Sequence, residues 1–266
     1  MSLTKTRKTV ECGILLSIAM ILGLLRLVEL PFGGSVTPAA MLPVAIIAYR
    51  HGPRWGITAG LIFGTLQLLT GLKTLSFVTT WQSAVAVILL DYLLAYGGMG
   101  LAGVFRKTPW PGRLSLAAGC GLGCLLRYAC HVIAGATVWA GLSIPDRAAV
   151  AYSLIYNATY MIPETLVLLA AAYAAASLLD FRREQPGRPA RGEKPDLWRG
   201  LALAVAAGGV IFDVVALFAR LQDPQTGAFR WEGLQTVPWL TMLAVTAGAA
   251  LAAVLLWTLP KRRKKV

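Results

Sequence analysis

Charged side chains are scarce in this chain: 14% of its 266 residues, against 57% hydrophobic. With a mean hydropathy of +0.65, that balance excludes a soluble globule, in which about a quarter of the residues are charged. The four cysteines, Cys12, Cys120, Cys124 and Cys130, show no C-x-x-C spacing and fall in apolar runs. They read as small packing residues and not as a metal or redox site. A G-x-x-x-x-G-K-[ST] phosphate loop is also missing, since "GTLQLLTGLKT" has the wrong spacing. Any uphill transport would then draw its energy from a partner or an ion gradient. No internal repeat stands out.

What the chain has instead is long apolar runs, near 10–30, 54–71, 83–105, 114–140, 148–179, 200–221 and 236–259. Each is long enough to cross about 30 Å of hydrocarbon at about 1.5 Å per residue. A shorter run at 38–49 completes a set of eight spans, because the charge pattern needs an even count. The first run is too long for a cleaved signal and lacks a small-x-small site after it. The expected class is an all-α integral membrane protein.

The net charge of +13 suggests nucleic acid at first sight, but its distribution argues for topology. Lys5, Arg7 and Lys8 precede the first span; Arg50 and Arg54 follow the second; Arg106, Lys107 and Arg113 follow the fourth. Arg182, Arg183, Arg188, Arg191, Lys194 and Arg199 follow the sixth, and "KRRKKV" closes the chain. The alternate connections hold only Lys73, Arg147 and Arg230. By the positive-inside rule both termini are cytoplasmic and no nucleic-acid partner is implied.

"DFRREQPGRPARGEKPDLWRG" is rich in arginine, proline and glycine and reads as a flexible linker. The chain therefore divides into a six-span unit at 1–180, a cytoplasmic linker at 181–199, and a two-span hairpin with a basic tail at 200–266. Asp213, the hairpin's intramembrane acid, lies seven residues before Arg220 on the same helical face, which suggests an ion pair or snorkelling.

In "LLRYACHVIAGATVWAG", Arg127, His131, Gly135 and Trp139 recur every four residues and so share one face of the fifth span. His131 lies about 27 Å up that helix, in the outer half of the membrane. The fourth span brings Asp91 to mid-depth, and the sixth places Tyr152 and Asn157 near the outer surface. An acid, an imidazole, an amide, a phenol and an indole converging in this way suit a flat, heteroaromatic, cationic ligand, with its rings on Trp139 and its charge balanced by Asp91. Structural alternatives stand beside this reading. Asp91 could neutralise Arg127, Trp139 and Tyr152 could be interfacial belt residues, Asn157 could cross-link helices, and Glu164 could satisfy backbone opened by Pro163.

"GGSVTPAAMLPVAIIAYRHGPRWGITAGLIFGTLQLLTG", "LLDYLLAYGGMGLAGVF", "LLRYACHVIAGATVWAG" and "AYSLIYNATYMIPE" follow one another in a familiar order. Over about residues 5 to 180 the chain resembles the thiamine-specific S components of energy-coupling factor (ECF) transporters, the ThiT or YuaJ family. The resemblance implies a six-helix S-component bundle, here with two additional C-terminal transmembrane helices, in the plasma membrane of a prokaryote. It implies tight binding of thiamine in an outward-facing pocket, no chemistry on the ligand and no cofactor. The implied partners are a transmembrane coupling subunit and two cytoplasmic ATPases, which use the ATP. The family's ligand contacts fall on Asp91, Tyr92, His131, Gly135, Trp139, Tyr152 and Asn157. Its coupling face on the first span survives as Gly13 and Ser17. Two family tryptophans are replaced, by Gly34 and Phe63, and Trp81, in a lengthened connection, is expected to supply a ring as part of a lid. Two rivals remain: an S component for a thiamine precursor, and an intramembrane serine hydrolase built on Ser35 and His131.

Overall fold

The computed structural model describes residues 5–30, 34–139, 149–189, 197–221, 223 and 230–259. The basic residues Arg147, Arg191 and Lys194 and the closing "KRRKKV" lie outside them. Eight helices carry the described chain: α1 (Lys5–Leu24), α2 (Leu42–His51), α3 (Pro53–Thr70), α4 (Trp81–Lys107), α5 (Gly112–Thr137), α6 (Ala149–Leu178), α7 (Leu197–Leu221) and α8 (Trp239–Thr258). They follow the eight apolar runs in order, and α4 to α8 are long and apolar enough to cross a membrane.

The short run at 38–49 departs from the expected full span. Its helix, α2, has ten residues, which at about 1.5 Å each is half the hydrocarbon thickness. The missing half is irregular: α1 ends at Leu24, short of residue 30, and a two-stranded hairpin follows, β1 (Val28–Glu29) against β2 (Ser35–Val36). A bend and turn over residues 38–41, with Ala39 at φ +59°, then lead into Pro43 near the start of α2. Non-helical backbone at membrane depth needs protein around it or a cavity beside it. Here Val36, Thr37, Ala39 and Ala40 are all buried.

Below that segment every residue of α2 from Pro43 to Arg50 is buried, so α2 is the central post of the bundle, packed by α1, α3, α4, α5 and α6. Gly52, at φ +97°, breaks the chain between α2 and α3, and Pro53 opens the next helix where its missing N–H costs nothing. Bare glycine backbone lets helices meet: Gly103 lies on Ala48, Gly100 on Gly56 and Ile57, and Gly119 on Ala102.

The basic ends of the helices are tied together. The Arg50 guanidinium, buried, bonds the Glu11 carboxylate and donates to the carbonyls of Phe181, Arg183 and Glu184 at 3.2 Å each. Arg106 donates to the carbonyls of Tyr49 and Arg50, and Arg182 to the Tyr49 hydroxyl at 2.7 Å. The stretch expected to be a flexible linker is therefore docked over its first part, with Asp180 bridging Gly187 and Phe181 buried. Residues 190–196 lie outside the described set.

The hairpin α7–α8 packs through α7 on α6. Asp213 does not pair with Arg220, as spacing suggested; Thr246 of α8 donates to its Oδ2 instead. A short hydroxyl on the facing helix is nearer than a cation two turns along the same one.

Candidate functional site

A cavity opens among α4, α5, α6 and the β2 segment, at the end of the bundle opposite the Arg50 cluster. It is lined by Asp91, His131, Trp139 and a set of tyrosines, with Gly34, Ser35 and Thr74 from the connections. Seven of the eight residues expected to bind a ligand line it: Asp91, Tyr92, His131, Gly135, Trp139, Tyr152 and Asn157.

Asp91 is the centre of the arrangement. It sits in a π-helical turn, Ile88–Leu94, within α4, a local form that recurs at functional sites. Its Oδ1 is 2.8 Å from His131 Nδ1, and its Oδ2 accepts from the Trp139 indole N–H at 3.1 Å. His131 Nε2 is buried and has no partner among the described residues. Since an unmatched buried polar atom is costly, that nitrogen is the natural point for a ligand to add a hydrogen bond.

Asn157 supports this pair. Its amide donates to the Ser153 carbonyl at 2.9 Å and to the His131 carbonyl at 3.3 Å, while its Oδ1 accepts from the Tyr160 hydroxyl at 2.6 Å. Tyr160 meets the His131 ring edge-on at 6.2 Å, and Tyr152 stacks on Tyr156 at 6.1 Å. Thr74 bonds the Tyr92 hydroxyl and so ties the connection before α4 to the cavity wall.

The alternative pairing of Asp91 with Arg127 is absent. Arg127 lies deeper and donates to Glu164 Oε2 at 2.8 Å, with its guanidinium 4.8 Å from the Tyr96 ring centre. Glu164 also accepts from the Thr37 hydroxyl at 3.2 Å. It serves side chains, not backbone opened by Pro163. Trp81 misses the cavity: at the first turn of α4 it is 72% exposed, about 15 Å along the helix from Asp91. Gly34 and Phe63 are filled in by tyrosines. Phe63 meets Tyr96 edge-on at 5.3 Å, and a Cβ on Gly34 would lie 2.5 Å from the Tyr160 ring.

The residues missed by sequence reasoning as cavity walls are Ser35, Thr74, Tyr96, Tyr156 and Tyr160. Tyr152, Tyr156 and Tyr160 recur every four residues, the same signal that marked the α5 face. No comparable pattern points to Ser35 or Thr74.

Residues 9–179 match the family model described as "Thiamine transporter protein (Thia_YuaJ)". The chain belongs to the thiamine transporter family. Over 171 residues it is 33% identical to thiamine transporter ThiT of Bacillus subtilis (strain 168), a match covering 60% of this chain and 85% of that protein. A solved structure of ThiT from Listeria monocytogenes shares its fold, with a TM-score of 0.52 and 23% identity over 64% of this chain and 92% of that one. Membership of the thiamine transporter family makes this a transport protein and not an enzyme. The family match ends at residue 179, so α7 and α8 lie beyond it.

Proposed function

We propose that this protein is the substrate-binding membrane subunit of a thiamine uptake system and that the cavity around Asp91 is its thiamine site. The observation that carries this reading is an acidic group held in place by an imidazole and an indole inside an aromatic cavity. Thiamine is a permanent cation with two flat heteroaromatic rings. Its charge is balanced by Asp91, its rings lie against Trp139 and the tyrosines, and a ring nitrogen meets His131 Nε2.

Most basic residues of the six-span unit fall on the connections at the end away from the cavity, Arg50, Arg106 and Arg182 among them. By the positive-inside rule that end faces the cytoplasm, both termini included, and the cavity faces outward. This orientation suits the plasma membrane of a prokaryote taking up an external vitamin. With no phosphate loop in the chain, release into the cell depends on partners: an ECF transmembrane coupling subunit and two cytoplasmic ATPases. A ligand shifts an equilibrium only by its differential affinity, so the hydrolysis they perform supplies the difference between the tight and the releasing state. Gly13 and Ser17 lie exposed on α1, with open space beside Gly13, and are the proposed contact with the coupling subunit. Residues 1–180 form the proposed transport unit and 200–266 an accessory hairpin.

Titration of detergent-solubilised protein with thiamine, followed by intrinsic tryptophan fluorescence, tests the ligand. The expected result is saturable quenching at submicromolar thiamine, lost in Trp139→Phe and retained in Trp81→Phe. Competition by the separate pyrimidine and thiazole halves reports whether a precursor is the better ligand. A folded protein that shows no saturable response to thiamine would remove the assignment.

A further inference from the structure

Directly beneath the proposed ligand lies a second ionic arrangement that makes no contact with Asp91 in the described structure. Arg127 lines the floor of the cavity, and its Nε is buried with no hydrogen-bond partner. Left alone, this guanidinium would cancel the charge of Asp91 and present a cationic ligand with a neutral site. It is not left alone. Glu164, 3% exposed on α6, accepts from Arg127 at 2.8 Å and from Thr37 at 3.2 Å, and Thr37 Oγ1 in turn receives the Ala40 backbone N–H at 3.3 Å.

The charges can be counted from this geometry. Among the described residues that line the cavity, Asp91 and Arg127 carry formal charge, and Glu164 stands immediately behind Arg127. Two carboxylates against one guanidinium leave a single negative charge in excess. Charges inside a low-dielectric, water-poor site act over longer distances than they do in water, so a carboxylate that never touches the ligand still contributes to the potential the ligand meets.

We infer that Glu164 is a specificity-determining residue of this site: by neutralising Arg127 it keeps the cavity selective for the free cation of thiamine over its negatively charged phosphate esters. Glu164 acts through Arg127 and is not itself a ligand contact. The inference rests on the thiamine assignment above. It separates two roles that a single acidic site would merge: Asp91 meets the positive ring, and Glu164 withholds the one buried cation from an incoming phosphate. With Glu164 uncharged, the unmatched donors of Arg127 become an anion-binding group.

The test is a selectivity measurement. Affinities for thiamine and thiamine monophosphate are determined by calorimetry for the wild type, Glu164→Gln, and the double variant Arg127→Met with Glu164→Met. Gln keeps an acceptor for Thr37, removes the charge and turns its NH2 toward Arg127, so the Arg127 donors lose their acceptor together with the carboxylate. Its expected effect is a loss of thiamine affinity of about tenfold with no matching loss for the monophosphate, so that the ratio of the two affinities shifts by about tenfold. The double variant restores the net charge with apolar groups of similar length, a replacement that buried ion pairs often tolerate. It is expected to return the ratio to the wild-type value even if both affinities fall. A purely structural role for Glu164 would weaken both ligands equally and leave the double variant impaired with an unchanged ratio; that result overturns the inference while leaving the thiamine site intact. Failure of the wild type to bind thiamine would instead strike the functional assignment first.

Discussion

Asp91→Asn weakens thiamine binding by at least about tenfold, on two physical grounds. It deletes the negative charge proposed to balance the thiamine cation. It also damages the support of the site, because Asp91 accepts from Trp139 through one oxygen and faces His131 through the other. An amide has one oxygen, so its NH2 must point at one of these two groups. A buried donor left without an acceptor costs about 1–3 kcal/mol, and about 1.4 kcal/mol is already tenfold in affinity. The same fluorescence titration reads the effect, with helical content as the check on folding. Asp91→Glu keeps the charge at a longer reach and is expected to retain most of the affinity. If Asp91→Asn binds as tightly as the wild type, the ligand does not sit here.

The second large effect concerns stability. Gly119→Val lowers the thermal midpoint of the detergent-solubilised protein by more than any substitution at a lipid-facing glycine. A Cβ on Gly119 would overlap the carbonyl oxygen of Ala102. That neighbour is backbone and cannot rotate away, so α4 and α5 must separate. Overpacking of this kind costs typically about 1–3 kcal/mol, and a rigid partner places it at the upper end. Gly208→Ala and Gly248→Ala are the controls: nothing lies within 4 Å of a Cβ at either position. In an open helical site alanine is favoured over glycine by up to about 1 kcal/mol, so these two hold or raise the midpoint. Comparable losses in all three would mean that α4 and α5 do not pack as described.

The parts of this molecule that sequence made legible are those that repeat locally. Helix positions follow from apolar runs, and the α5 wall follows from the spacing of His131, Gly135 and Trp139. Tyr156 and Tyr160 carried the same spacing as Tyr152 and could have been found by it. What stayed hidden depends on contacts between distant parts of the chain. Arg127 and Glu164 are 37 residues apart, and no period relates them. Arg50 and the carbonyls at 181, 183 and 184 are further apart still, and composition alone made that stretch look loose. Trp81 was misplaced for a related reason: its proximity to the cavity in sequence did not survive the turn of α4. The halving of the second span also needed tertiary context, since a helix stops early only where something else receives the exposed backbone.

The π-helical turn that carries Asp91 has a genetic consequence. A π turn accommodates one residue more than an α turn, so the aim of the carboxylate depends on how many residues lie in Ile88–Leu94 as well as on which ones they are. Removing one of them lets the turn relax to α geometry, so that the two flanking halves of α4 keep their mutual register while residues inside the turn, Asp91 among them, change their aim by up to about 100°. Every other side chain would survive, yet the acid would no longer be aimed at His131 and Trp139. For this site a codon lost or gained in frame is a deeper change than many missense substitutions, and it is the shortest evolutionary step by which such a helix could lose a vitamin or acquire one.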